Sequence, residues 1–198
     1  MSSPALRAVA VYCGSNRGAD PVYARAAASL GRLLAERGIR LVYGGGDVGL
    51  MGVLADGVRD AGGEVLGVIT RALVDREVAH PGLTNLTVVE TMHERKAAMA
   101  DAVGAFIMLP GGYGTFDEFF EAVTWTQLGI HAKPCGVLDV NGYFEPLRAL
   151  LDGAARQGFV SKVHRELVIT DDDPARLLAR LAAWTPVTTD KWLESSER

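Results

Sequence analysis

Leu109-Pro110-Gly111-Gly112-Tyr113-Gly114-Thr115-Phe116-Asp117-Glu118 is the stretch on which the reading of this chain turns. Before it, Val103 to Leu109 is an apolar run of strand length. After it, Phe116, Phe119, Phe120 and Val123 recur at helical spacing. The glycines therefore make a strand-to-helix turn. Glycine lets backbone N–H groups approach a ligand closely, and a helix N-terminus carries partial positive charge. Together they form an anion site, most naturally for phosphate. Thr115-x-x-Glu118 also reads as a capping box, which serves a helix for its own sake and places Glu118 in the first turn.

Outward from this turn, strand and helix patterns alternate. Toward the N-terminus, the runs Ala8 to Cys13, Ile39 to Tyr43, Glu64 to Ile69 and Leu86 to Val89 read as strands. Pro134 to Val140 and Leu167 to Thr170 follow on the other side. Helical spacing is seen in Val22, Ala26, Leu30, Leu33 and Leu34, ended by Gly38, and again over Leu50 to Val58 and Leu147 to Ala155. Thr91 is placed to cap a helix, and Asp173-Pro174 opens the last one with Pro in its first position. Strands apolar on both faces, alternating with helices, mean an α/β fold: a mostly parallel sheet covered on both sides. Thr70 to Asn85 is the irregular part, with Arg71, Asp75, Arg76, Glu77 and His80, and reads as a long loop. Residues 1–184 read as one domain, and Thr185 to Arg198 as a tail without periodicity.

A net charge of −4 with no basic tract argues against a nucleic-acid partner. No apolar run is long enough to span a bilayer, and Met1 to Arg7 lacks the features of a signal peptide. Cys13 and Cys135 lie in apolar runs and read as reduced, buried thiols, so the expected location is cytoplasmic.

In open α/β sheets, ligands bind beyond the carboxyl ends of the strands. Gly14-Ser15, Gly44 to Gly46, Arg71 to Glu77 and Gly111 to Thr115 all fall there, so they converge on one site. On the helix from Met92, Arg95 shares a stripe with Met92, Met99 and Ala102. A guanidinium among apolar side chains calls for an anionic partner. Gly44-x-Gly46-x-x-Gly49 matches a dinucleotide fingerprint, but the acid expected at the end of the following strand is missing. It reads instead as close backbone approach to a mononucleotide. His80, His93, His131 and His164 show no metal-ligand spacing, and no Ser or Cys stands in a nucleophile elbow.

Pro110-Gly111-Gly112-Tyr113-Gly114-Thr115-x-x-Glu118 resembles the PGGxGTxxE signature of the Lonely Guy (LOG) family. Met92-His93-Glu94-Arg95-Lys96 and Gly44-Gly45-Gly46-Asp47-Val48-Gly49-Leu50-Met51-Gly52 resemble two further strings of that family, in the family's order. The resemblance runs from about Val9 to about Ile169. These proteins are cytokinin riboside 5′-monophosphate phosphoribohydrolases, long mislabelled as lysine decarboxylases. The resemblance implies a Rossmann-like, doubly wound three-layer sandwich with a sheet of about seven strands. It implies hydrolysis of the N-glycosidic bond of an adenosine 5′-monophosphate, plain or N6-modified, to free base and ribose 5-phosphate. Arg95 and Glu118 would be the catalytic pair. Glu77, Lys96, Gly111, Gly112, Tyr113, Gly114, Thr115 and Thr124 would contact substrate, with Gly45, Gly46 and Met51 beside them. No metal or cofactor would be needed, and the protein would be a homodimer. A decarboxylase would need pyridoxal phosphate on a lysine. Lys96, Lys133, Lys162 and Lys191 are the only candidates, and none has a recognisable cofactor context. Two alternatives stay open: a broader AMP or purine-nucleotide nucleosidase, and a non-catalytic nucleotide or molybdenum-cofactor binding protein of the same fold.

Overall fold

The apolar runs become one sheet. The computed structural model describes residues 6–76, 79–83 and 85–186. Within it, β1 (Ala8–Tyr12), β2 (Arg40–Tyr43), β3 (Val65–Thr70), β4 (Leu86–Val89), β5 (Ala105–Met108), β6 (Cys135–Leu138) and β7 (Val168–Asp171) form a 7-stranded sheet. The strand order is β4-β3-β2-β1-β5-β6-β7, and every pairing is parallel. β1 and β5, at the centre, are buried at every position. This is why they read as continuous apolar runs rather than as alternating ones.

Side chains alternate across the sheet along each strand. Val9 and Val11 of β1 pack into one core with α1 (Pro21–Glu36), α2 (Gly49–Asp60) and α8 (Pro174–Ala182). Ala8, Ala10 and Tyr12 pack into a second core with α4 (Met92–Asp101), α5 (Tyr113–Gln127) and the Leu147 and Leu151 edge of α6 (Glu145–Arg156). α7 (Lys162–Arg165) is a single turn leading into β7. The order reverses at β1: the chain turns into α1 on one face after β1 and into α5 on the opposite face after β5. That switch point is where an open α/β sheet leaves a crevice at its carboxyl edge.

Two expectations are corrected. Thr70 to Asn85 is not loop throughout, because Arg71–Val74 forms a one-turn helix, α3. Nor is Thr115-x-x-Glu118 a capping box. α5 begins three residues earlier than that pattern implies, with Gly112 as N-cap, so Thr115 is already the third helical residue and Glu118 lies in the second turn. The working capping box of this chain is Thr91 with Glu94, at the start of α4. The expected tail lies outside the described residues from position 187 onward. Among the described residues, no helix is long and apolar enough to cross a membrane.

Candidate active site

Helix caps are the first clue to the site. Asp20, Thr91 and Asp173 each turn a side-chain oxygen onto the first free N–H groups of α1, α4 and α8. α5, 15 residues long, has no such cap. Its leading amides sit in the Gly112-Tyr113-Gly114-Thr115 turn. A Cβ added at Gly112 or at Gly114 would meet nothing within 4 Å, and neither residue has a left-handed φ. Neither packing nor conformation therefore requires glycine at these two positions. What they do is leave the uncapped, partly positive end of α5 open to an anion.

The rest of that turn is firmly held. A Cβ on Gly111 would lie 2.2 Å from Thr115 Oγ1 and 2.8 Å from the Gly14 nitrogen. The Gly14 N–H donates to Pro110 O at 3.0 Å, tying the β1–α1 turn to the β5–α5 turn. Tyr143, after β6, donates its hydroxyl to Gly111 O at 2.7 Å. With Ser15, Asn16, Arg17, Tyr23 and Leu50, Tyr143 lines a cleft of ≈ 200 Å³ against Pro110–Gly112. Tyr143 is 32 residues away from the loop it braces, and no local pattern announces it.

On the α4–α5 side stands the ion pair. Capping by Thr91 and Glu94 sets the start of α4, which turns Arg95 inward, only 6 % exposed. Its Nε donates to Val68 O at 2.9 Å and its Nη2 to Gly44 O at 3.2 Å. Nη1 lies 3.2 Å from Glu118 Oε1. The guanidinium is thus fixed by backbone carbonyls at the carboxyl ends of β3 and β2, and it presents its remaining edge to Glu118. The anionic partner expected of Arg95 is Glu118. Burial pushes the Glu118 carboxyl above the usual carboxylate range. Arg95 pulls it back most strongly, Asp117 and Glu121 add to the rise, and Lys96 opposes it.

Other expected residues fall into distinct groups. Lys96 bridges α4 to α5, with Nζ 3.2 Å from Asp117 Oδ2 and 3.0 Å from Glu121 Oε2. Tyr113 stands almost free in solvent, 93 % exposed, at the mouth of the turn. Thr124 lies on the outer face of α5 and bonds back to Phe120 O at 2.7 Å, so within this chain it does not join the site. Met51 packs beside Gly44, its Sδ within 3.3 Å of where a Cβ would stand. Gly45 and Gly46 are buried under the segment after β3 rather than open: His80 N–H donates to Gly45 O at 3.1 Å, and Ala79 bridges Gly46. Glu77 lies outside the described residues.

His80 is the residue that sequence spacing missed. It is 5 % exposed, and its ring meets Asp56 and Asp47, which are far from it in sequence. Cys13 and Cys135 are free and buried, and burial pushes the Cys135 thiol up to about 12, which suits packing and not nucleophilic attack. Lys133 donates to Ala100 O at 2.6 Å.

Known proteins resemble this chain over most of its length. Residues 51–181 match the family model described as "possible lysine decarboxylase". The chain is 45% identical over 185 residues to a cytokinin riboside 5′-monophosphate phosphoribohydrolase of Arabidopsis thaliana, covering 93% of this chain and 87% of that protein. It is 46% identical over 181 residues to one of Oryza sativa subsp. japonica, covering 91% and 75%. The chain belongs to the LOG family. Solved structures share the LOG fold at lower identity. A molybdenum cofactor binding protein of Rippkaea orientalis superposes with a TM-score of 0.68 at 19% identity, over 89% of this chain and 96% of that one. A molybdenum cofactor carrier protein of Chlamydomonas reinhardtii gives 0.66 at 18%, over 90% and 99%. At that identity the likeness speaks for the fold alone.

Proposed function

We propose that this chain hydrolyses the N-glycosidic bond of nucleoside 5′-monophosphates, with adenosine 5′-monophosphate and its N6-modified cytokinin forms as substrates. The observation that carries the reading is the Arg95–Glu118 pair, fixed beside an uncapped helix start that opens through two glycines. The 5′-phosphate sits on the α5 amides of Gly112 to Thr115 and holds the ribose against Glu118. Cleavage passes through an oxocarbenium-like state with positive charge at the anomeric carbon. Glu118 stabilises that charge and takes a proton from the attacking water. The C1′–N bond breaks, and its electron pair leaves with the base, which is protonated from solvent. The products are free base and ribose 5-phosphate. Arg95 aligns Glu118, and Glu77 bonds the ribose hydroxyls. Lys96, held by Asp117 and Glu121, supports the same surface of α4 and α5.

The pair favours hydrolysis over the cofactor-carrier alternative, because a carrier needs the glycine turn but has no use for an arginine trained on a carboxylate. The base and the relative rates on AMP and its N6-substituted forms follow pocket shape. The protein acts as a cytoplasmic homodimer. Leu128 and Ile130, exposed at the end of α5, supply apolar surface for it, and light scattering at twice 21.1 kDa tests that point. The activity is tested by incubating the protein with AMP and with isopentenyladenosine monophosphate and measuring free base. Base release that falls by about 10²–10⁴-fold in Glu118→Gln is expected. Parent-like turnover by that variant overturns the assignment. The carboxylate is the active form, so kcat/KM falls as pH drops through the raised Glu118 value. The acid limb therefore lies above that of an ordinary glutamate.

A further inference from the structure

The β3–β4 connection contains a buried histidine that the mechanism above does not use. His80 accepts the Gly82 N–H at Nδ1, at 3.2 Å. Its ring proton is therefore on Nε2, which lies 3.1 Å from Asp56 Oδ1 and 3.5 Å from Asp47 Oδ1. Asp47, Asp56 and His80 lie close enough together to suggest a cation site, with ligand atoms all within 4.8 Å. The hydrogen bonds argue otherwise. A metal on Nε2 would move the proton to Nδ1, where Gly82 already points an N–H. The cluster is a latch: it pins the segment 79–82 to α2 through Asp56 and to the start of α2 through Asp47.

That segment carries the triple-glycine turn. His80 N–H donates to Gly45 O at 3.1 Å, and Ala79 bridges Gly46. The next carbonyl back, Gly44 O, receives Arg95 Nη2. We propose that His80 is a positioning residue for the Arg95–Glu118 pair, acting through the Gly44–Gly46 turn; this rests on the hydrolase reading above. Without the imidazole, the segment 79–82 loses its side-chain anchor on α2, the backbone bond from the residue 80 N–H to Gly45 O slackens, the turn relaxes, and Arg95 keeps only Val68 O as a firm backbone acceptor. The guanidinium then pairs less closely with Glu118.

The groups facing Glu118 are Arg95 and Lys96 from α4, Asp117 and Glu121 from α5, and Tyr12 and Cys13 from the end of β1. Arg95 is the largest pull toward the ionised form. Loosening it moves the Glu118 titration upward, which a general loss of stability would not do.

The test is a carbon-13 titration of the Glu118 carboxyl in protein labelled at glutamate, with the resonance identified by its absence in Glu118→Gln. His80→Ala and Asp56→Ala are expected to raise the midpoint by about half a pH unit or more. His80→Gln, which keeps a donor toward Asp56, should raise it less. The acid limb of kcat/KM moves with it. Asp56 has an exposed side chain, so Asp56→Ala carries the test if His80→Ala does not fold. An unmoved midpoint in the folded variants overturns the proposal. The titration needs no turnover. A shifted midpoint in a protein that releases no base from any nucleotide would keep the positioning role and overturn only the hydrolase reading.

Discussion

The two glycine turns at the carboxyl edge look alike in sequence and differ in what fills them. In Gly111–Gly114, two of the glycines face open space, at the start of a helix with no side-chain cap. In Gly44–Gly46, the space is taken by the protein itself. A Cβ on Gly44 would stand 2.1 Å from Arg95 Nη2, and Gly45 has a φ of 76° and packs on Ile69 and Leu86. The first turn leaves its space open, and the second makes room for the chain's own cation. A Gly-x-Gly-x-x-Gly string after a strand is therefore not by itself a nucleotide cradle. Here it is the socket that seats the arginine.

Filling the socket should have the largest effect. Gly44→Ala drives the guanidinium out of its place and leaves a buried charge unpaired. We expect a loss of about 3–5 kcal/mol in stability, measured by denaturant unfolding, together with loss of most turnover. Parent-like stability and rate would show that the close approach of Arg95 to Gly44 is dispensable. Arg95→Lys is the gentler version. It keeps the charge and removes the planar fork that spans Val68 O, Gly44 O and Glu118. The variant should fail almost as badly as Arg95→Ala in kcat/KM. A folded lysine variant within about threefold of the parent, less than 1 kcal/mol in transition-state terms, would show that charge alone suffices. Gly114→Ala fills the open turn instead. Alanine favours a helix over glycine, so thermal unfolding should be unchanged or slightly later. KM for a nucleoside monophosphate should rise by about tenfold, as the methyl intrudes on the phosphate. A rise in KM together with a fall in stability would erase the contrast between the two turns.

Much of this arrangement was legible in the chain itself. Buried strands write themselves as apolar runs, and Arg95 on the stripe with Met99 announced a partnered cation. What was hidden depends on contacts that no periodic pattern records, one of them within a turn and the others between distant segments. Thr115-x-x-Glu118 mimics a cap, but the helix starts at Tyr113 because Thr115 is drawn in against Gly111, a contact made across the turn. The inward turn of His80 and the bond from Tyr143 to Gly111 O join residues 24 and 32 apart, and neither leaves a periodic trace. The triple glycine was visible, but what occupies it is a side chain from α4, 51 residues downstream.

In the proposed function, the open turn holds a 5′-phosphate which orients the ribose against Glu118. The most direct measurement compares kcat/KM of the parent protein for AMP and for adenosine. Binding energy from the phosphate is used to orient the reacting sugar, so removing it should lower kcat as well as raise KM. We expect the nucleoside to react at least about a thousandfold more slowly, on the order of 4 kcal/mol in transition-state terms. Equal rates on adenosine and AMP would rule out an orienting role for the phosphate.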